Sequence, residues 1–348
     1  MRSIQTQQTF SLSSVKPLEG LFGYRQCCLE ATREAVRGGT QRLEHSPITG
    51  ARLQPYGEVE GLAYVRDPEN GSLFLAARPE PAVWGRLLAQ VSRYRHSPEA
   101  FHVGLTQSRT DHVYAPKLEW IEDALRFQEV HRPDVLEVIT APSDFTTLLK
   151  ESGSFAEVVT VDETQLAQGQ VSDPSTRRTT ASGRGPSLRV VPSEQRESRD
   201  DGRPVGAALL LESLDRAHDS VALLHAVAGR LEAGGLLFVT SLVSSGFDME
   251  VLGLRNLYIY PPDRANCFSL RGLETLLRRA GFTLVEVSTP GVLDVEIVRA
   301  HVQHDPSIVL SSFERRLLET DAHTHEAFQT FLQQQGLSSF ARIVARKD

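Results

Sequence analysis

The sequence predicts an α/β protein built on a doubly wound, mostly parallel sheet of about seven strands, preceded by a small α+β lobe. From Asp134 onward, short apolar runs alternate with helical segments, and such near-continuous runs are typical of strands buried on both faces. The runs are DVLEVIT, AEVVTVD, LRVV, GAALLLES, GLLFVTSLV, FTLVEVS and FARIVARK. Before Asp134 the pattern is irregular, with short helices and turn-rich strands, which indicates a separate lobe.

Length and composition indicate an ordinary globular protein of about two domains. The chain has 348 residues, of which 40% are apolar and 23% charged, and its formal net charge is -7. This charge favours neither nucleic acid nor an anionic membrane as a partner, and no run approaches the roughly 20 apolar residues of a membrane span. The three cysteines are too few for a disulfide framework, and the N-terminus lacks the apolar core of a signal peptide. We therefore expect a cytoplasmic protein.

The first hundred residues predict helices and a strand pair. Residues 24–39 indicate a helix that ends at a Gly-Gly pair, and residues 62–78 indicate two strands around the turn DPENG. Two apolar stripes at helical spacing predict helix faces that pack in the core. The stripes consist of Trp84, Leu87, Leu88 and Val91, and of Leu118, Ile121 and Leu125.

Within the alternating region, two helices and one insertion are predicted. Helices are expected over 214–232 and 269–280, closed by Gly234-Gly235 and by Gly281. Residues 165–204 are rich in Ser, Arg, Gly, Pro and Asp, which favours a surface insertion. We expect three segments: an N-terminal lobe (1–115), the sheet domain (116–300), and C-terminal helices with a last strand that completes the sheet (301–348).

The stretch EVITAPSDF joins the first predicted strand of the sheet to a helix that begins near Phe145. A strand, a tight loop and a helix form the arrangement that holds nucleotide-like cofactors, and glycine normally builds such loops because the backbone must approach the ligand. This loop contains no glycine. A cofactor loop and an ordinary strand-to-helix turn both remain open.

A later stretch, AALLLESLDRAHDSVALLHAVAGRLEAGGLLFVTS, resembles part of the class I S-adenosylmethionine-dependent methyltransferases. It is similar to the family's fourth strand, acidic-leucine turn, helix, Gly-Gly turn and fifth strand. Arg216 stands where histidine is usual, and four residues match the turn: Glu212, Leu214, Asp215 and Asp219. The segment YPPDRANCFSLRGLETLLRRAGF resembles the part before the sixth strand. STPGVLDVEIV and SSFARIVARK resemble a subgroup with an N-terminal zinc ribbon.

The resemblance covers residues 131–348 and implies a Rossmann-like sheet. It also implies S-adenosylmethionine as the cofactor and methyl transfer to a small molecule, such as a sugar, a polyketide or another secondary metabolite. In the family's first motif, Glu137 takes the acidic place, and the three glycine places are taken by Ile139, Ala141 and Ser143. Ile139 adds a branched side chain at the closest approach to the ligand.

Further site residues follow from the same resemblance. Asp162 ends the second strand, 25 residues after Glu137, and would accept the ribose hydroxyls, with capping of the next segment as its alternative role. Glu212, at the end of the fourth strand, would orient cofactor or substrate. Tyr258, Tyr260 and Asn266 follow the fifth strand, where the family contacts substrate, although packing and capping explain them equally well.

The N-terminal lobe contains two short motifs, SPITG and DPENG, with the shape of zinc knuckles from which every cysteine is missing. The ligand places hold Ser46 and Thr49 in one motif, and Asp67 and Asn70 in the other. The 17 residues between Thr49 and Asp67 suit a zinc ribbon. Hydroxyl and amide groups are poor zinc ligands, so we expect the ribbon's shape without zinc.

Two function classes therefore remain. One is a methyltransferase that acts on a small molecule. The other is a catalytically inactive relative that acts as a scaffold or regulatory partner, with a protein partner bound through the N-terminal lobe. The second is favoured by two rewritten motifs in one chain, and the sequence indicates no general base.

Overall fold

The computed structural model describes residues 10–15, 17–95, 105–140, 143–163, 166 and 202–348. The strands formed within these ranges are β1 (Gln41–Arg42), β2 (Gln54–Val59), β3 (Leu62–Arg66), β4 (Leu73–Leu75), β5 (Ala77–Arg78), β6 (Val135–Ile139), β7 (Val158–Asp162), β8 (Val205–Leu211), β9 (Leu231–Leu242), β10 (Asn266–Cys267), β11 (Phe282–Ser288) and β12 (Phe340–Lys347).

Helices cover both faces of the larger sheet and build most of the N-terminal lobe. They are α1 (Leu12–Val15), α2 (Leu18–Arg37), α3 (Pro81–Arg95), α4 (Thr106–Arg109), α5 (Ala115–Phe127), α6 (Asp144–Glu151), α7 (Ser213–Arg216), α8 (Ser220–Arg230), α9 (Phe247–Leu252), α10 (Leu270–Arg279), α11 (Asp294–His304), α12 (Ser312–Leu318) and α13 (Ala322–Gln334). A π-helical turn, Thr110–Tyr114, joins α4 to α5. None of the helices within the described ranges has the length and apolar character needed to span a membrane.

The central sheet confirms the predicted fold class. Among the described residues it has the strand order β11-β12-β9-β8-β6-β7. Strands β7, β6, β8 and β9 are parallel, whereas β12 and β11 form the predicted antiparallel edge. In the β6–β7 register, Ile139 pairs with Asp162, so the carboxyl ends of both strands lie side by side. Ligands of parallel sheets bind at this edge.

One of the seven predicted strands, LRVV, lies outside the described residues. Most of the predicted insertion, residues 165–204, also lies outside them. Six of the seven predicted runs therefore correspond to described strands. For the last two runs, Phe282–Ser288 and Phe340–Lys347, the predicted and observed bounds are identical.

The prediction of one helix over 214–232 is wrong. The chain forms the short helix α7, leaves helical geometry at Ala217 (ψ 134°), and starts α8 at Ser220. Asp219 causes this restart because its side chain accepts hydrogen bonds from the amides of Val221 and Ala222. Helix α8 then ends at Arg230, before the predicted glycine stop. The second prediction is confirmed, since α10 spans Leu270–Arg279 and Gly281 follows with φ 83°.

Burial confirms the two predicted apolar stripes. Trp84, Leu87, Leu88 and Val91 of α3 are buried in the cluster between the lobe and the sheet, and Leu118, Ile121 and Leu125 of α5 pack against the sheet. The lobe and the sheet domain also share backbone pairing, because β10 adds to the four-stranded sheet β10-β4-β3-β2. The lobe thus reaches the segment that follows β9.

Candidate functional site

A cavity of about 270 Å³ opens at the carboxyl ends of β6 and β8. Its volume lies near the lower end of the ~300–1,000 Å³ range of small-molecule pockets. The sheet edge provides the floor, and the walls come from the segment after β9, from α2 and from the α4–α5 region. Of the nine site residues predicted from the sequence, six line it: Glu137, Ile139, Ser143, Glu212, Tyr258 and Tyr260.

Glu137 is the buried acid of the cavity floor. Its side chain is 2% exposed, and its Oε1 accepts a hydrogen bond from Thr146 Oγ1 at 3.3 Å. Its Oε2 is buried and has no hydrogen-bond partner among the described residues. Burial raises the pKa of this carboxyl to about 7, against the smaller lowering effects of Thr146, Lys150 and Lys117. An unpaired, buried carboxylate oxygen at a ligand-binding edge suits an ammonium or hydroxyl donor.

The loop after β6 is anchored by its own helix. Ser143 Oγ accepts from the Thr146 amide, and Thr146 Oγ1 accepts from the Ser143 amide, so the two residues form a capping box. These two amides are therefore already satisfied within the chain. Ile139 lines the cavity at the end of β6. Ala141 and Pro142 lie outside the described residues.

An ion network forms the cavity wall at the end of β8. Arg264 Nη2 lies 2.5 Å from Glu212 Oε2, and Arg264 Nη1 lies 3.1 Å from Asp215 Oδ2. Asp215 is fully buried, and it also accepts from Ser241 Oγ at 2.6 Å and from the Leu242 amide at 3.1 Å. Burial raises its pKa to about 7 despite the guanidinium. A single arginine thus holds two carboxylates in place.

Glu212 adopts left-handed backbone geometry (φ 63°, ψ 12°). This geometry is uncommon for a residue with a side chain and costs on the order of 1–3 kcal/mol. Two contacts maintain it: the Glu212 amide donates to Thr240 O at 2.8 Å, and Arg264 holds the carboxylate. The next residue, Ser213, donates from Oγ to Val138 O at 2.8 Å and links this turn to β6.

The α4–α5 region and the start of α6 add basic and aromatic groups to the cavity lining. Arg109 lies over the Tyr114 ring at 5.4 Å and donates to the Val15 carbonyl at 3.1 Å. Lys117 is buried, and its Nζ lies 5.5 Å from the centre of the Phe145 ring. The cavity lining includes Arg109, Tyr114, Lys117 and Phe145, so it contains basic groups as well as the acids of the sheet edge.

Aromatic side chains close the cavity between α2 and the segment after β9. Tyr24 donates from its hydroxyl to Asp263 Oδ2 at 2.9 Å, and its ring meets Tyr260 edge-on at 6.0 Å. Tyr258 is largely buried and packs near His301. Tyr24, Tyr258, Tyr260 and Asp263 all contribute to the lining. This wall is mostly aromatic and carries one carboxylate.

Two predicted site residues lie outside the lining. Asp162 ends β7 beside Ile139, so it stands on the correct edge of the sheet but one strand away from the cavity. Asn266 is buried, and its Nδ2 donates to the carbonyls of Leu214 (2.8 Å) and Ala217 (2.9 Å). Its Oδ1 accepts from Arg78 Nη2 at 2.5 Å. The side chain of Asn266 therefore braces the turn that carries Glu212.

Arg78 of β5 strengthens the same bracing. Its guanidinium is buried and donates to the carbonyls of Ala217 (3.1 Å), His218 (2.6 Å) and Ala265 (3.3 Å), in addition to Asn266. The N-terminal lobe thus ties the turn after β8 to the segment that carries Arg264. The Arg78 guanidinium therefore holds both the turn that carries Glu212 and the segment that carries Arg264.

Sequence reasoning missed several lining residues. Arg264 had a signal, because it occupies the first place of the motif-like segment Arg264–Phe268 and follows the fifth strand. No sequence signal indicated Tyr24, Arg109 and Lys117, since each lies on a helix before the first strand of the sheet and belongs to none of the motifs. Arg216, noted only as a histidine replacement, also lines the cavity. Its guanidinium lies 3.8 Å from Glu163 and 3.4 Å from Thr140 Oγ1.

The fold and the cavity define an α/β protein with a pocket at the carboxyl ends of its parallel strands. A methyltransferase domain family model matches residues 108–287, which is more than half of the chain. The chain belongs to the class I S-adenosylmethionine-dependent methyltransferase family. No curated protein sequence matches it.

Similar solved structures include three methyltransferases. The 1,6-didemethyltoxoflavin-N1-methyltransferase of Burkholderia thailandensis, solved with 1,6-didemethyltoxoflavin and S-adenosylhomocysteine, is 14% identical; the match covers 84% of this chain and 99% of that one, with a TM-score of 0.40. The plantazolicin methyltransferase BpumL is 13% identical over 76% and 95% of the two chains, with a TM-score of 0.38. An S-adenosylmethionine-dependent methyltransferase of Mesorhizobium loti is 14% identical over 65% and 96%, with a TM-score of 0.31.

Proposed function

We propose that the cavity binds S-adenosylmethionine and that the protein transfers its methyl group to a small molecule, such as a sugar, a polyketide or another secondary metabolite. One observation carries the proposal. Glu137, at the family's acidic position, is buried in the cavity, and one of its carboxylate oxygens has no hydrogen-bond partner among the residues that the structure describes. A bound ammonium group would satisfy this oxygen and lower its pKa again, because an opposite charge favours the ionised form.

The residues present fit the methionine end of the cofactor. Glu137 would hold the ammonium group of the cofactor. The positive charges of Arg109 and Lys117 suit the carboxylate of the cofactor's methionine end. Asp162, on the neighbouring strand, would accept the ribose hydroxyls from its place at the same sheet edge. Ile139 and Ser143 would contact the cofactor where the family uses glycine, and Ala141 belongs to the same loop.

When bound, the cofactor supplies an electrophilic methyl group on sulfur. The chain's task is then to place the acceptor atom in line with that group and to keep water away, and positioning alone can provide much of the rate. Tyr258 and Tyr260 supply aromatic surface for the acceptor, and Glu212 supplies a carboxylate fixed by Arg264. Asn266 would act indirectly, through the turn that it braces.

The second candidate is a catalytically inactive relative that acts as a scaffold or regulatory protein. It is favoured by the loop after β6, where no glycine is present and where the capping box already satisfies the amides of Ser143 and Thr146. In this case a protein partner would bind through the N-terminal lobe, and the cavity would be a remnant.

Calorimetric titration with S-adenosylmethionine separates the two candidates. Micromolar binding, equivalent to about 8 kcal/mol, supports the first, and weaker binding in Asp162→Ala and Glu137→Ala would assign it to this edge of the sheet. Absence of binding at millimolar cofactor refutes it and leaves the scaffold. Incubation of the protein with labelled cofactor and a panel of sugars, polyketides and amines then tests turnover. Transfer to a protein or nucleic acid instead would refute the small-molecule assignment.

A further inference from the structure

The two cysteine-free knuckles have matching backbone geometry. In the first, the Gly50 amide donates to Ser46 O at 2.9 Å, and the Ser46 amide donates to Ala51 O at 2.8 Å. In the second, the Gly71 amide donates to Asp67 O at 2.9 Å, and the Asp67 amide donates to Ser72 O at 2.9 Å. Gly50 and Gly71 have φ values of 80° and 83°. The sequence similarity of SPITG and DPENG is therefore a similarity of structure.

Of the four side chains at the ligand places, three donate to one oxygen of the fourth, Asp67 Oδ2. Ser46 Oγ donates to it at 2.5 Å, Asn70 Nδ2 at 2.7 Å and Thr49 Oγ1 at 2.9 Å. The other carboxylate oxygen, Oδ1, accepts from the Glu69 amide at 2.8 Å. Asp67 is fully buried, and both of its oxygens are hydrogen-bonded. Burial alone would raise the pKa of this carboxyl, but the hydrogen bonds from Ser46, Glu69, Thr49 and Asn70 lower it below its ordinary value.

These groups do not fit a structural zinc ion, which takes thiolate and imidazole ligands. Among the residues that the structure describes, no group of three or more His, Cys, Asp or Glu side chains could hold a metal. Three donors that surround one buried anionic oxygen instead reverse the usual arrangement, in which anionic ligands surround a cation.

We propose that the Asp67 carboxylate takes the place of a structural metal ion and cross-links the two knuckles. A metal would join four ligands from two turns at one point. Asp67, which belongs to the second knuckle, binds both hydroxyls of the first knuckle and the amide of its own, so the same two turns are joined through hydrogen bonds alone.

The cross-link extends to the sheet domain. Asn70 Oδ1 accepts from the Ser72 amide at 2.9 Å, and Ser72 Oγ accepts from the Ser269 amide at 2.9 Å, at the start of α10. Ser244 Oγ, after β9, donates to Gly71 O at 3.1 Å. The second knuckle is thus held between β9 and α10. Loss of the Asp67 cross-link is expected to loosen the lobe from the domain, and not only within itself.

The first experiment restores the ligands. The variant Ser46→Cys/Thr49→Cys/Asp67→Cys/Asn70→Cys is purified without added metal and titrated with ZnCl2. We expect one zinc per chain by elemental analysis and a higher melting temperature with zinc than with a chelator. The matched control, Ser46→Cys/Thr49→Cys, keeps Asp67 and supplies two ligands; we expect it to take up less than a tenth as much zinc under the same conditions. A folded four-cysteine variant that binds no zinc would overturn the proposal.

The second experiment uses no metal, and it tests the proposal even if the four-cysteine variant does not fold. Asp67→Asn replaces one acceptor oxygen by a donor at nearly constant size, and Glu69→Gln makes the same chemical change at an exposed site two residues away. We expect the urea midpoint of Asp67→Asn to fall clearly and that of Glu69→Gln to stay within error. Equal midpoints for both variants, or stoichiometric zinc in the unmodified protein, would refute the proposal.

Discussion

Glu137→Gln tests both the electrostatics and the proposed role of the cavity floor. Glutamine has the shape of the neutral carboxyl and keeps an oxygen for the hydrogen bond from Thr146 Oγ1. It cannot ionise. The substitution therefore removes the cost of a buried charge and leaves the packing of β6 unchanged.

The expected magnitude follows from the raised pKa. In the folded state the pKa of Glu137 is about 7, against an ordinary value of 4.5. Below pH 4.5 the carboxyl is protonated in both folded and unfolded chains and contributes no difference. Between pH 4.5 and 7 the unfolded chain loses this proton first, so the free energy of unfolding falls as pH rises. At about 1.4 kcal/mol per pKa unit, the total cost is roughly 3 kcal/mol above pH 7.

The assay is urea unfolding of the cofactor-free protein at pH 4, 6 and 8. We expect Glu137→Gln to match the unmodified protein at pH 4 and to exceed its free energy of unfolding by up to about 3 kcal/mol at pH 8. Glu151→Gln, at the exposed end of α6, is the control and should show no such trend. A stability difference between Glu137→Gln and the unmodified protein that is independent of pH would refute the electrostatic reasoning.

The same variant should bind S-adenosylmethionine more weakly, because a charge-assisted hydrogen bond is lost, typically about 1.5–3 kcal/mol. A variant that gains stability and keeps full cofactor affinity would exclude Glu137 from the cofactor site. Greater stability together with weaker binding is the pattern expected when a destabilising residue is retained for a ligand.

Three further predictions concern the sheet edge and the wall of the cavity. Asp162→Ala should weaken cofactor binding by about 2–3 kcal/mol in calorimetry, because the ribose acceptors are lost; unchanged affinity would show that the site is misassigned. Ile139→Gly should tighten binding in the same assay, since it clears the backbone approach, and weaker binding would contradict this. Arg264→Met should lower the free energy of unfolding at pH 8 by about 3–5 kcal/mol, because it leaves the Asp215 charge buried and unpaired. The loss should be smaller at pH 6, where Asp215, with its pKa near 7, is largely protonated; an equal loss would refute this account.

Much of the fold could be predicted because its strands are nearly continuous apolar runs. The bounds of β11 and β12 were predicted to the residue, and the mostly parallel character of the sheet followed from the alternation of strands and helices. The break between α7 and α8 was missed because a capping aspartate inside a periodic pattern also fits a solvent-facing helix position. Only the two amide contacts of Asp219 distinguish these cases.

The site residues at the strand ends could be predicted from the sequence, whereas the site residues on the helices could not. Glu137 and Glu212 follow from the rule that strand ends carry ligands, and both line the cavity. Arg109 and Lys117 reach the cavity only because α4 and α5 pack over the carboxyl ends of the strands, and no local pattern specifies that packing. Arg264 acquires its role through two carboxylates 49 and 52 residues earlier in the chain.

The two motifs differ in how completely their polar groups are paired. In the knuckles, one cluster contains Ser46, Thr49, Asp67 and Asn70, and both oxygens of Asp67 are hydrogen-bonded. At the cavity, Glu137 has a buried oxygen without a hydrogen-bond partner in the described part of the chain, and its raised pKa is expected to make the folded chain less stable at neutral pH. If this position served folding alone, a neutral residue such as glutamine or leucine would make the folded chain more stable, since replacing an unpaired buried charge is stabilising. Under the proposed function, a ligand that pairs with the Glu137 carboxylate would offset this cost. The cavity is therefore the part of this protein where binding of a cationic group is expected, and the knuckle is the part where binding of a metal is not.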